Sequence, residues 1–155
     1  MVILEVDIME AAMSTQGIPV GGLKTIGQIV AMNDLRFHAG QNGLAIAVAL
    51  LSTHTAGAPV VDDKDRYIGF INEFDMMRAL DAGKDLGKLT AQDVMRKDRL
   101  AITGATKISD AAKIMEEHHV LSLPVERDGV VLGSVTRHDL LRAWIGLGLG
   151  MGLDP

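Results

Sequence analysis

GSVTRHDLLRAW, residues 133–144, sets a glycine, a threonine, two basic side chains and an aspartate ahead of an apolar helical pattern. GFINEFDMMRAL, residues 69–80, has the same outline. Gly69 pairs with Gly133, Asp75 with Asp139, Arg78 with Arg142 and Ala79 with Ala143, all at an offset of 64. A recurrence at fixed spacing marks an internal repeat. Toward the N-terminus the offset becomes 65, joining Thr25 to Thr90, Leu35 to Leu100, Ala47 to Ala112 and Pro59 to Pro124, with no gap from 25 to 60. The lost residue falls where DDKDRY faces RDGV. Both are polar turn sequences, and hairpin loops tolerate length changes that strands do not.

Each unit then resolves into elements. Thr25-x-x-Gln28 and Thr90-x-x-Asp93 carry helix-start chemistry, a hydroxyl with a polar partner three residues on. LRFHA and LAIT follow as short strands. Ile108, Ala111, Ala112, Met115 and His119 recur at helical spacing, and Ile46, Ala47, Leu50 and His54 match four of them at offset 65. Two strands around a polar turn come next, APVVD–DKD–RYIGFI and LPVERDGVVLGSV. FDMMRALDAG and HDLLRAWIGLG read as closing helices, with Gly83 a stop for the first. The order is strand, helix, strand, strand, helix. The strand pair is antiparallel, and the crossover sets the first strand parallel to its neighbour. Such a unit has one covered face and little core alone, so two stacked units would cover each other.

The 155 residues suffice for a real core, and 48% hydrophobic with 23% charged residues is a globular balance. Net charge is −5, with seven basic against eleven acidic residues before Leu89 and eight against nine after it. Neither half is basic, so no nucleic-acid footprint is expected. The chain has no cysteine, which removes disulfides, thiolate catalysis and Cys-ligated zinc. The start MVILEVDIME has no basic residue before Lys24, and the longest apolar run, GLAIAVALL at 43–51, is too short for a bilayer. These features lead to the expectation of a soluble cytoplasmic protein without membrane insertion. His118 and His119 point about 100° apart on a helix and have no third ligand, so no metal site is expected. No G-x-S-x-G or Gly-rich phosphate loop appears, and an enzyme is not expected.

Both units resemble CBS motifs, the paired modules also called Bateman modules. The second does so through DVM at 93–95, ISDAAKIMEEH at 108–118, LPV at 123–125 and GSVTRHDLLRA at 133–143. The first does so more loosely, through APVVD at 58–62 and GFINEFDMMRAL. The resemblance implies an α/β (α+β) fold of two β-α-β-β-α motifs packed as a pseudo-symmetric Bateman module. Its expected parts are an N-terminal extension at 1–24, motifs at 25–85 and 90–145, and a Gly-rich flexible tail at 146–155, a stand-alone tandem. It also implies a non-catalytic regulatory module. An adenosine nucleotide of the AMP, ADP or ATP class would bind between the motifs, no other cofactor would be required, and a homodimer would report to a regulated enzyme or transporter. The alternative is a ligand-independent scaffold.

Thr136 and Asp139 could cap a helix or hold a ribose diol, and Asn72 and Asp75 stand at the matching places. Arg137 and His138 could hold a phosphate at a helix start or be solvated. Glu73 and Phe74 replace them in the first unit, so that cleft should bind less charged ligands, or none. By resemblance the adenine slots lie near Ile102, Thr103, Ser122, Leu123 and Pro124 in one unit and Phe37, His38, Gly57, Ala58 and Pro59 in the other. Pro59 and Pro124 also suit a rigid strand start, since they lack an N–H.

Overall fold

Each apolar run of the repeat finds its partner across a polar turn. The structure is a computed structural model that describes residues 22–29 and 32–146. β2 (Gly57–Val61) pairs antiparallel with β3 (Tyr67–Asn72), and β4 (Ser122–Arg127) with β5 (Val130–Thr136). The second hairpin closes through Asp128 and Gly129 at φ 53° and 82°. Two left-handed residues in succession give the turn a twist that matches its strands. The first hairpin takes the longer path through residues 62–66. There the Asp62 carboxylate accepts from the backbone N–H of Lys64 at 2.9 Å and of Arg66 at 3.0 Å. The length difference of the repeat therefore sits in the turns.

β1 (Phe37–His38) runs parallel to β2, with Phe37 opposite Val60. LAIT, expected as the equivalent strand, shrinks to one parallel bridge between Ile102 and Val125. The reason is local: the Thr103 N–H donates to the Thr106 hydroxyl and the Thr106 N–H to the Thr103 carbonyl, which turns the chain off the sheet. α1 (Gly43–Thr53) starts at Asn42, whose side chain accepts from the N–H groups of Leu44 and Ala45. α4 (Ile108–His118) is its counterpart. Both end on a left-handed histidine, His54 at φ 52° and His119 at φ 54°. α2 (Glu73–Asp81) and α5 (Arg137–Ile145) close the units, and the short α3 (Ala91–Val94) lies between them.

Two cores result, and each borrows from across the molecule. Phe37, Ile46, Leu50, Val60 and Ile71 pack with Leu86 and Ala91, which follow the first unit in the chain. Ile108, Met115, Leu123, Val135 and Leu140 pack with Ile26, from the start of the first unit. Backbone bonds fix the exchange: Ile26 N–H donates to Thr106 O at 2.9 Å, and Ala91 N–H to Gln41 O at 2.8 Å. The Thr25 and Thr90 helix starts thus each open one unit in sequence and pack against the other in space. A smaller cluster of Val61, Tyr67 and Val131 joins the hairpins. Burial pushes the Tyr67 phenol far up from its ordinary range, and its hydroxyl donates to Leu100 O at 3.1 Å.

The ungapped register from 25 to 60 needs one correction. Met32 packs on Gly133 and Asn33 bridges Ser134, while Met95 packs on Gly69 and Arg96 bridges Phe70. A side chain at either glycine would meet the methionine within 3.0 Å, at 2.9 Å for Gly133 and 2.5 Å for Gly69. Met32 and Met95 are therefore equivalents 63 apart, and Asn33 is the counterpart of Arg96. The offset returns to 65 by Leu35 and Leu100, because five residues from Arg96 to Leu100 replace three from Asn33 to Leu35.

Candidate functional site

The strand-to-helix corners follow from capping. Thr136 ends β5 in extended backbone, and its hydroxyl accepts from the Asp139 N–H at 3.1 Å. The Asp139 carboxylate returns the bond, with Oδ2 accepting from the Thr136 N–H at 2.8 Å. Asn72 and Asp75 build the same box at 2.9 and 2.8 Å. Both polar pairs thus serve as helix caps in the folded chain.

Their second oxygens differ. Oδ1 of Asp75 accepts from Arg78 and lies 3.5 Å from Arg96 Nε. Asp75 is buried; Arg78 hydrogen-bonds it and Arg96 adds an ion pair without a hydrogen bond. Asp139 is half-buried, and among the described residues its Oδ1 takes no hydrogen bond or ion pair. The first corner holds a closed acid–base cluster. The second holds a carboxylate oxygen with capacity to spare.

Each corner opens on a cleft completed by the other unit. At the second corner, Thr136, Arg137 and His138 face Asn33, His54 and Gly57 across a cleft of about 420 Å³. Arg137 and His138 are exposed at the start of a nine-residue helix, whose N–H groups favour an anion. At the first corner, Asn72, Glu73 and Phe74 face Arg96, His119 and Ser122 across about 280 Å³. A side cavity of about 60 Å³ extends it toward Tyr67, Asp98 and Pro124.

Of the residues named for adenine, Ser122 and Gly57 line both clefts, and Leu123 and Pro124 line the side cavity. Phe37, Ala58, Pro59 and Ile102 are buried and line none of these spaces, and Thr103 and His38 are exposed away from them. Neither aspartate is in a cleft wall; each stands one turn behind its cap residue. Arg96, His54 and Asn33 enter the clefts without having been anticipated. The ungapped register hid Arg96 by setting it opposite Ala31, whereas aligning Met32 with Met95 exposes it as the counterpart of Asn33.

The model of the CBS domain matches this chain twice, at residues 38–82 and 91–146. The chain belongs to the CBS-domain family. Hypoxic response protein 1 of Mycobacterium tuberculosis is 31% identical over 101 residues, covering 64% of this chain and 71% of that protein. Inosine-5'-monophosphate dehydrogenase of Bifidobacterium longum is 36% identical over 92 residues, and arabinose 5-phosphate isomerase KdsD of Yersinia pestis 33% over 86. These matches take in 57% and 56% of this chain but only 16% and 26% of those enzymes. Among solved structures, the CBS domain pair of MJ0100 in complex with 5-methylthioadenosine and S-adenosyl-L-methionine superposes with a TM-score of 0.66 at 22% identity, covering 76% of this chain and 93% of that one. CBSX2 in complex with AMP gives 0.66 at 23%, covering 77% and 94%. These likenesses establish the fold, a CBS pair of the Bateman type.

Among the described residues no helix is long and apolar enough to cross a membrane. No group of three or more His, Asp or Glu within them is arranged to hold a metal ion.

Proposed function

We propose that this CBS pair is a non-catalytic regulatory module that binds an adenosine nucleotide at the Thr136 corner and relays occupancy to a partner enzyme or transporter. One observation carries the reading: Thr136 and the exposed Arg137 and His138 line a cleft of about 420 Å³ completed by Asn33, His54 and Gly57 of the first unit, whereas Glu73 and Phe74 stand at the matching places of the other cleft. Thr136, in the cleft wall and held by its capping bonds to Asp139, suits the hydroxyls of a ribose. Arg137 offers a bidentate grip on phosphate. The bound nucleotide would touch both units, so it favours whichever packing of the units fits it better. AMP in CBSX2 and S-adenosylmethionine in MJ0100 support the ligand class.

Calorimetric titration with AMP and ATP tests the reading. Arg137→Ala should weaken binding by roughly tenfold or more, the scale of a charged hydrogen bond. Glu73→Ala, at the other corner, should leave it unchanged. Equal losses from the two variants, or no binding of AMP, ADP or ATP at millimolar concentration, would overturn it.

The scaffold reading rests on a separate observation. α1 exposes Leu44, Val48 and Leu51 on one stripe, and α2 exposes Phe74, Met77 and Leu80. A contiguous apolar face of this kind suits association with a second copy. Sedimentation at micromolar concentration should show a dimer, and Leu51→Glu with Phe74→Glu should return it to monomer.

A further inference from the structure

The cleft at the Thr136 corner has a floor as well as a mouth. Val135 faces the core of its own unit, so its neighbours Ser134 and Thr136 share the opposite face of β5, the one turned to the cleft. Burial rises along that face: Arg137 and His138 are exposed, Thr136 is half-buried and Ser134 is 5% exposed. The Ser134 backbone is fully paired. Its N–H donates to Asn33 O at 2.8 Å, and its carbonyl accepts from the Asn33 N–H at 3.0 Å. Its side chain is not: among the described residues the buried Oγ has no hydrogen-bond partner. Such a hydroxyl lowers stability, and a small apolar side chain in its place would not. The repeat shows that the fold does not require it. Ser134 matches Phe70 at the offset of 64, and Phe70 lines the other cleft with its ring over Gly57, where an added Cβ would meet it at 2.6 Å.

We propose that the Ser134 hydroxyl is the group that hydrogen-bonds the base of the nucleotide, which lies base inward with its phosphate at the mouth; this inference rests on the proposed function. The order follows from the spacing along β5. Two strand residues rise about 6.6 Å, on the order of the span from a ribose hydroxyl to the far ring atoms of its base. With the ribose at Thr136 and the phosphate at Arg137, the base falls at Ser134. Serine has three staggered rotamers, so its hydroxyl turns to the ligand without a shift of β5. A hydroxyl both donates and accepts, which suits the mixed donor and acceptor edge of a purine. In the other cleft the matching place presents the Phe70 ring instead. The hydroxyl left unpaired in the free protein gains its partner from the ligand, so Ser134 trades stability for recognition.

Calorimetric titration of the full chain with AMP and with adenosine reads the two ends of the ligand separately. Ser134→Ala should weaken both by the same factor, roughly fivefold, the scale of one neutral hydrogen bond. Ser134→Cys keeps the volume but is a weak donor and acceptor, so it should lose about as much. Arg137→Ala should weaken AMP and leave adenosine as it was. Without ligand, Ser134→Ala should melt at a higher temperature than the wild type, because the unpartnered hydroxyl is gone. Unchanged affinity in Ser134→Ala, a loss confined to AMP, or wild-type affinity in Ser134→Cys overturns the inference and leaves the nucleotide site standing on Arg137. A midpoint that fails to rise in Ser134→Ala also overturns it, since the hydroxyl would then have its partner within the fold. A wild-type chain that binds neither AMP nor adenosine overturns the inference and the proposed function together.

Discussion

Asp75 and Asp139 hold one position in the repeat and keep different company. Arg96, from the start of the second unit, and Arg78, one turn along α2, neutralise Asp75. Arg96→Met leaves that buried carboxylate with the more exposed Arg78 and should cost about 1–2 kcal/mol in denaturant melts, since the pair is only partly desolvated. The lone histidines at the ends of α1 and α4 carry the opposite expectation. A left-handed non-glycine residue is strained, so His119→Gly should raise stability by up to about 1 kcal/mol. Asp93 links stability to pH. The Thr90 backbone N–H, then its hydroxyl, hold the Asp93 carboxyl below its usual range. Because the folded value is the lower one, this capping box adds stability above an aspartate's ordinary pKa of about 4 and loses it as pH falls toward the folded value. The thermal midpoint gap between wild type and Asp93→Asn should therefore close between pH 7 and pH 3. The capping pairs were readable from sequence because they are local. The tie from Arg96 to Asp75 was not, since Arg96 lies 21 residues further along, in the second unit.

Among elements, the two hairpins and two long helices follow from patterns that stay within one segment. Alternation, the Asp-Gly turn and the 108–118 periodicity each mark an element without help from elsewhere. The stretch LAIT shows where this stops. Its composition fits a strand, but the Thr103–Thr106 turn leaves only the Ile102 bridge. The Thr25 and Thr90 starts show another limit. Their caps are local chemistry, while the core each one enters is set by packing. Ile26 is fully buried against Ile108, Val125 and their neighbours. Ile26→Ala should cost about 2–5 kcal/mol and lower hydrogen-exchange protection in β4 and β5 first, although Ile26 lies nearly a hundred residues before them. Protection lost first in β2 and β3 would contradict the exchanged packing.

At the scale of the molecule, the clefts exist only because the units face each other, and each wall mixes residues from both. The repeat announced the pairing. It did not announce which unit completes which corner, because that depends on how the two sheets stack. AMP at one hundred times its dissociation constant should stabilise the pair by about 2.7 kcal/mol, a rise of several degrees in midpoint for a chain of this size. The exchanged starts also decide how the chain can be divided. A cut between Gly83 and Lys84, in an exposed turn, yields one fragment lacking Leu86 and Ala91 and another lacking Ile26. Each fragment carries the piece the other is missing. Neither half should fold alone, and the two mixed at equal concentration should reassemble without a peptide bond between them, so this tandem behaves as a single interlocked folding unit rather than two modules on a string.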